Sequence, residues 1–236
     1  MSSFSFTITK ADTLKKEINI KVKFITFYKF YVTDKRMDKL NLQKGELLNL
    51  EKKGLEKLNI GLGWDITNGK EYDVDVFVFC YDINDNFLGK IFFGNKNDFG
   101  IHHCGDNLTG AGDGDDETIQ VNLRQLDSRV KKIEVYANIF SAHSKTFNEI
   151  DNVFIRLYNA DNQQELARYN LSEKNRHFNA FHFADLNIGQ EISFIVVGEF
   201  LNGNISEIEQ KVKNNTPFYK KNKRINFLQK IFGLKI

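Results

Sequence analysis

Residues 71–82 read EYDVDVFVFCYD. The alternation is strict, with Asp73, Asp75, Phe77 and Phe79 two apart. A strand repeats every two residues, so these four side chains share one face. That face is expected to run from a charged end into an apolar core. Similar runs lie on both sides. Residues 17–33 begin with an alternating strand, and 40–54 holds two strand-like pieces around Gly45. Residues 55–65 read as a strand ending at GLGWD, and 90–95 as a strand pairing back on 71–82 through the INDNFLGK turn. ETIQVNL (117–123) and KIEVYANIF (132–140) alternate again, with a polar linker or short helix at 124–131. Residues 151–171 form a hairpin around NADNQQ, and 178–186 and 191–200 close the set. Many short strands separated by Gly, Asn and Asp turns predict an all-β fold, a β-sandwich or barrel, with few short helices. In 204–215, Ile205, Ile208 and Val212 fall on one helical face.

Composition agrees. Of 236 residues, 41% are hydrophobic, enough for one large core, and 22 are Phe against a single Pro. The net charge of +2 is too small to predict a nucleic-acid partner, and none is expected. No 18-residue apolar run exists to span a bilayer, and MSSFSFTITK lacks the apolar stretch of a signal peptide. Two cysteines do not make a disulfide framework, so a reducing cytoplasm is the default expectation.

Charge is unevenly placed. GDNLTGAGDGDDE (105–117) carries Asp106, Asp113, Asp115, Asp116 and Glu117 on a glycine-rich backbone, while no acid follows Glu209. The paired Asp73 and Asp75 repel each other unless a cation lies between them. Asp65 ends a strand, and if strands pair in sequence order it approaches that pair. Numerous oxygen donors on a pliable loop suit Ca²⁺; Mg²⁺ keeps more of its water, and Zn²⁺ would want Cys and His. The spacing is not that of an EF-hand. A solvated loop between strands accounts for the same residues, and spacing alone leaves both readings open.

The strings GLGWD (61–65), YDVDVFVF (72–79), GDNLTGAGDGDDE (105–117), KTFNEIDNVFIRLYNAD (145–161) and ELARYNLSE (165–173) stand in this order. Together they resemble the TerD family of tellurium-resistance and stress-response proteins over roughly residues 38–200. The resemblance implies a β-sandwich that binds more than one Ca²⁺ through acidic loops. It implies no established enzymatic activity, and a role beside other stress-response proteins at the inner face of the cytoplasmic membrane. The ligands it implies are Asp65, Asp73, Asp75, Asp106, Asp113, Asp115, Asp116 and Glu117, helped by Asn107 and Thr109. Asn95, Asn97 and Asp98 are weaker candidates. IHHC (101–104) departs from the family pattern, as does IFSAHSK (139–145), which lacks an acid often found there.

Other signals favour structural readings. Adjacent His102, His103 and Cys104 cannot all chelate one ion from an extended strand. Trp64 reads as core packing beneath the loop, and Arg156 as the partner of a carboxylate. The expected organisation is an N-terminal strand extension (1–37), a sandwich (38–203) and a helical basic tail (204–236). Lys220, Lys221, Lys223, Arg224, Lys230 and Lys235 flank a Phe227, Leu228, Ile231 and Phe232 stripe. That pattern suits an anionic lipid surface or a partner, and a helix packed on the sandwich or a solvated end fits it too. The expected function is an ion-ordered, calcium-binding stress-response module in the cytoplasm. The alternatives are a membrane-peripheral scaffold held by the tail, and a metal-dependent hydrolase.

Overall fold

The computed structural model describes residues 41–65, 69–110, 114–140, 145–171 and 177–213. The expected strand at 17–33, the 1–37 extension and the basic run at 218–236 lie outside these residues.

The described strands form two antiparallel six-stranded sheets. The first contains β1 (Leu47–Leu50), β3 (Val74–Tyr81), β4 (Phe87–Ile91), β8 (Lys132–Ile139), β11 (Ala180–Ile188) and β12 (Ile192–Leu201). Its order is β1-β12-β11-β8-β3-β4. The second contains β2 (Lys57–Asp65), β5 (Asn97–Asp98), β6 (Ile101–His103), β7 (Glu117–Asn122), β9 (Asp151–Asn159) and β10 (Glu165–Asn170), in the order β10-β9-β2-β7-β6-β5. Of the sandwich or barrel expected from the alternation, the fold is the β-sandwich that the family resemblance implies.

Period two explains the packing. Leu58, Ile60, Leu62 and Trp64 of β2 share one buried cluster with Val74, Val76, Val78 and Cys80 of β3. Each such side chain contributes about 1.5–3 kcal/mol by leaving water. The opposite face of β3 was expected to enter this core, and it does not. Phe77, Phe79 and Tyr81 join Tyr136, Leu201, Ile205 and Ile208 in a second cluster. The residues of that cluster include the face of helix α1 (Ile205–Lys213), so β3 is buried on both sides by different partners.

Helix α1 starts where the sequence places it. Asn204 Oδ1 accepts the Glu207 N–H at 3.0 Å, and Glu207 Oε2 accepts the Asn204 N–H at 3.0 Å, a reciprocal cap. Glu209 then receives Lys90 at 2.6 Å and Lys213 at 2.5 Å, tying the helix to β4.

Two boundaries differ from expectation. The strand returning from β3 is Phe87–Ile91, because Asp82 Oδ1 closes a tight turn by accepting the Asn84 and Asn86 N–H groups. Around Gly45 only Leu47–Leu50 is a strand; Asn41 makes an isolated bridge to Arg168. Of the two forms expected at 124–131, a linker or a short helix, the structure has the linker. The short β5 was not expected.

Candidate metal centre

Strands β2 and β3 are consecutive in the chain but lie in different sheets. The condition that would have brought Asp65 to Asp73 and Asp75 therefore fails. Asp65 instead pairs in register with Asp151, and Asn152 Nδ2 donates to its Oδ2 at 2.5 Å. What reaches Asp73 and Asp75 comes from the other direction. The chain between β6 and β7 brings Asp106, and β7 begins with Glu117.

Asp73, Asp75 and Asp106 each present one carboxylate oxygen, all within 4.8 Å of one another. Ligands on opposite sides of a Ca²⁺ ion are about 5 Å apart, so this spacing suits one ion. Glu117 lies deeper, only 1% exposed. Its Oε2 accepts the Val76 N–H at 2.5 Å, linking β7 to β3 across the sandwich. Its Oε1, Asp75 Oδ2, Asp73 Oδ1 and Asn138 Oδ1 are buried without a hydrogen-bond partner. Buried oxygen atoms left in this state are costly unless something positive meets them.

The electrostatics agree. Burial pushes the Asp75 carboxyl up to about 8, with Glu117, Asp73 and Asp106 adding repulsion. Burial also raises Asp73, with Asp106 adding to it and Lys145 opposing. Burial raises Glu117, while His103 and the Val76 N–H pull it back. These are carboxylates without enough nearby positive charge. The donors are all hard oxygens, so the residues fit Ca²⁺.

His103 is the residue that sequence reading undervalued. It is fully buried, with neither ring nitrogen hydrogen-bonded. Its Nε2 stands 3.7 Å from Glu117 Oε2, an electrostatic contact too long for a hydrogen bond. The signal was present: His103 shares its strand face with Ile101, while His102 and Cys104 turn outward. Burial raises the Cys104 thiol, which disfavours a nucleophilic thiolate.

The rest of the loop is organised differently. Asn107 Oδ1 accepts the Thr109 N–H (3.0 Å), the Thr109 hydroxyl (3.2 Å) and the Gly110 N–H (3.1 Å). Its Nδ2 donates to Asp116 Oδ1 at 2.8 Å. With three donors on it, Asn107 Oδ1 shapes the loop. Asp116 Oδ2 accepts the Trp64 N–H at 2.9 Å. Trp64 is buried beneath, and its Nε1–H donates to the Tyr72 carbonyl at 2.9 Å. Asp115 receives Arg156 in two-pronged fashion, Nε to Oδ1 at 2.6 Å and Nη2 to Oδ2 at 2.9 Å. Asp113 lies outside the described residues. Asn95, Asn97 and Asp98 engage Lys90, His102 and Phe99 in local contacts.

A second buried polar group, which the sequence reading did not name, occupies the first sheet. Glu134 Oε2 accepts both Tyr81 OH (2.7 Å) and Tyr136 OH (2.8 Å), and Lys132 stands 3.1 Å from Oε1. His182 Nε2 lies 2.8 Å from Asp185 Oδ1, its ring stacked on Tyr136 at 4.2 Å.

The fold and this acid-lined end define a class: a two-sheet β-sandwich whose β3 start and β6–β7 connection converge carboxylates. The family model described as TerD domain matches residues 38–211, and the chain belongs to the TerD domain family. Tellurium resistance protein TerD of Serratia marcescens is 35% identical over 181 residues, covering 72% of this chain and 94% of the relative. General stress protein 16U of Bacillus subtilis is 38% identical over 149 residues, covering 57% and 76%. A crystal structure of a homologue of telluride resistance protein (TerD) from Streptomyces coelicolor A3(2) superposes with a TM-score of 0.57 at 18% identity. It covers 66% of this chain and 95% of the other, and supports the sandwich fold alone. Among the described residues, no helix is long and apolar enough to cross a membrane.

Proposed function

We propose that this member of the tellurium-resistance and stress-response family is a calcium-binding module that acts by presenting an ion-ordered surface to other stress-response proteins, not by catalysis. The observation that carries the reading is the set of buried, unpartnered oxygens on Asp73, Asp75, Glu117 and Asn138. Ca²⁺ would be held by Asp73, Asp75 and Asp106, with Glu117 behind them. It would supply the positive charge that these groups lack and fix the 105–117 loop to the start of β3. Asp65 and Asp116 form a separate acidic group at the end of β2, where Asp65 adds to the repulsion on Asp116. That group is the natural place for a further ion.

Calorimetric titration of the whole protein with Ca²⁺ and Mg²⁺ tests the reading. Calcium uptake that Asp75→Asn reduces supports it, and wild-type-like uptake by that variant refutes the assignment. The proposed location is the cytoplasm. Attachment to an anionic inner-membrane surface through 218–236 is the second reading, favoured by six basic residues beside an apolar stripe. It requires vesicle binding that is lost on removal of 218–236. A hydrolytic role would show as phosphoester turnover dependent on Asp113.

A further inference from the structure

The acidic run Asp115-Asp116-Glu117 looks like three ligands in a row, but each residue engages a different strand. Asp115 meets Arg156 of β9. Asp116 meets β2 twice, its N–H donating to the Leu62 carbonyl at 2.8 Å and its Oδ2 accepting from Trp64. Glu117 caps Val76 of β3 in the opposite sheet. The run thus stitches the loop to both sheets before it contributes any oxygen to an ion.

Asp115 has a seat made for it. Gly61 and Gly63 alternate with the core residues Leu62 and Trp64, so they face away from the core. A Cβ on Gly61 would lie 2.2 Å from the Asp115 carboxylate, and one on Gly63 would lie 2.5 Å from the Gly114 carbonyl oxygen. The bare backbone of β2 therefore admits the loop. Arg156 is the register partner of Gly61, which places its guanidinium beside that seat. The guanidinium also contacts Glu165 at 3.5 Å and stacks over Tyr158 at 4.5 Å, so it is held independently of the loop. Both Asp115 oxygens are engaged by the same cation within 2.9 Å. A divalent ion on those oxygens would sit a few ångströms from a permanent positive charge, which Coulomb repulsion disfavours.

The geometry points to Arg156 as a positioning residue of the cation end: it latches the loop through Asp115, which serves as anchor and not as ligand. This goes beyond the calcium reading and rests on it only for the effect on ion affinity. The latch is made without an ion, so its first consequence is seen with calcium chelated. Arg156 holds Asp115 at β2 without an ion, and the ion would add only the ordering at Asp73, Asp75 and Asp106.

The test uses the full chain, with amide hydrogen exchange in EDTA and calcium titration by calorimetry. The variants are Arg156→Gln, Asp115→Asn, their double, Arg156→Lys and Gly61→Ala. A charge-assisted two-pronged pair predicts about tenfold or greater acceleration at the Asp116 and Trp64 amides in either single variant. The double variant should be no faster than the singles, and the β8 core amides should stay protected in all of them. Arg156→Lys, which keeps the charge but not the fork, should fall between wild type and Arg156→Gln. Gly61→Ala unseats the carboxylate with both charges present, and should reproduce the acceleration. In titration, both single variants should bind calcium with affinity about tenfold weaker and unchanged stoichiometry.

Unchanged exchange at Asp116 and Trp64 overturns the latch. So does a loss of one bound ion in Asp115→Asn that Arg156→Gln does not share, because Asp115 is then a ligand. If the wild type takes up no calcium, the calcium reading fails alone, and the exchange results still decide the latch.

Discussion

At the scale of single residues, Asp75 carries the largest consequence. Its carboxyl rises from 3.8 to about 8, chiefly through burial and then through Glu117, Asp73 and Asp106. A folded value above the unfolded one means the group favours folding below about pH 4. That contribution is lost as pH climbs to about 8. With calcium chelated, the melting temperature should therefore fall across this window, and Asp75→Asn should flatten the fall while weakening calcium uptake. A wild-type profile that is level from pH 4 to 8 would refute the electrostatic account. Gly110 is the second case. It adopts φ +71°, and a Cβ there would lie 2.2 Å from Trp64 Nε1. Gly110→Ala combines left-handed strain with overpacking, so a loss of about 1–3 kcal/mol is expected in urea unfolding.

At the scale of elements, α1 does more than end the domain. It covers the phenylalanine face of β3, where Ile208 is 1% exposed against Phe77, Phe79 and Tyr136. Ile208→Ala should cost about 2–4 kcal/mol, measured by denaturant midpoint at constant slope. Cost at that level marks the helix as part of the sandwich's packing; a surface appendage would give less than ~0.5 kcal/mol. The central strands hold the other testable feature. Burial opposes charge on His182, but Asp185, Glu134 and Glu199 outweigh it, and its value is raised. The His182–Asp185 pair therefore stabilises fully below about pH 6.5, and its contribution is lost as pH rises through the folded value. His182→Gln should lower the melting temperature at pH 6 more than at pH 9, with or without calcium.

At the scale of the whole molecule, the proposed ion binding would be linked to folding. An ion that binds only the folded form stabilises it by about 2.7 kcal/mol at a concentration one hundred times Kd. For a domain of this size that is a rise of roughly 5–10 °C in melting temperature. Calorimetric scans with Ca²⁺ and with EDTA should show it, and Asp75→Asn should reduce it. Such a gain would offset the cost of a self-repelling end. The sandwich supplies rigidity through its apolar core, and the converging carboxylates draw on that surplus.

The sequence by itself determined most of the strands, which side chains share a face, and the acidity of one loop, because side-chain alternation is a local property of the backbone. It placed Asp73 and Asp75 together, put Trp64 under the loop and marked Arg156 as a carboxylate's partner. It also singled out the face of α1. Tertiary structure alone decided which sheet each strand joins. That choice paired Asp65 with Asp151, brought Asp106 and Glu117 to the start of β3, and drew Asp115 onto Arg156. It turned Phe77 and Phe79 toward a second cluster and gathered Glu134, His182 and Asp185 from β8 and β11. The physical reason is that sheet membership minimises exposed apolar area and unpaired backbone over the whole chain. No window of a dozen residues contains that information.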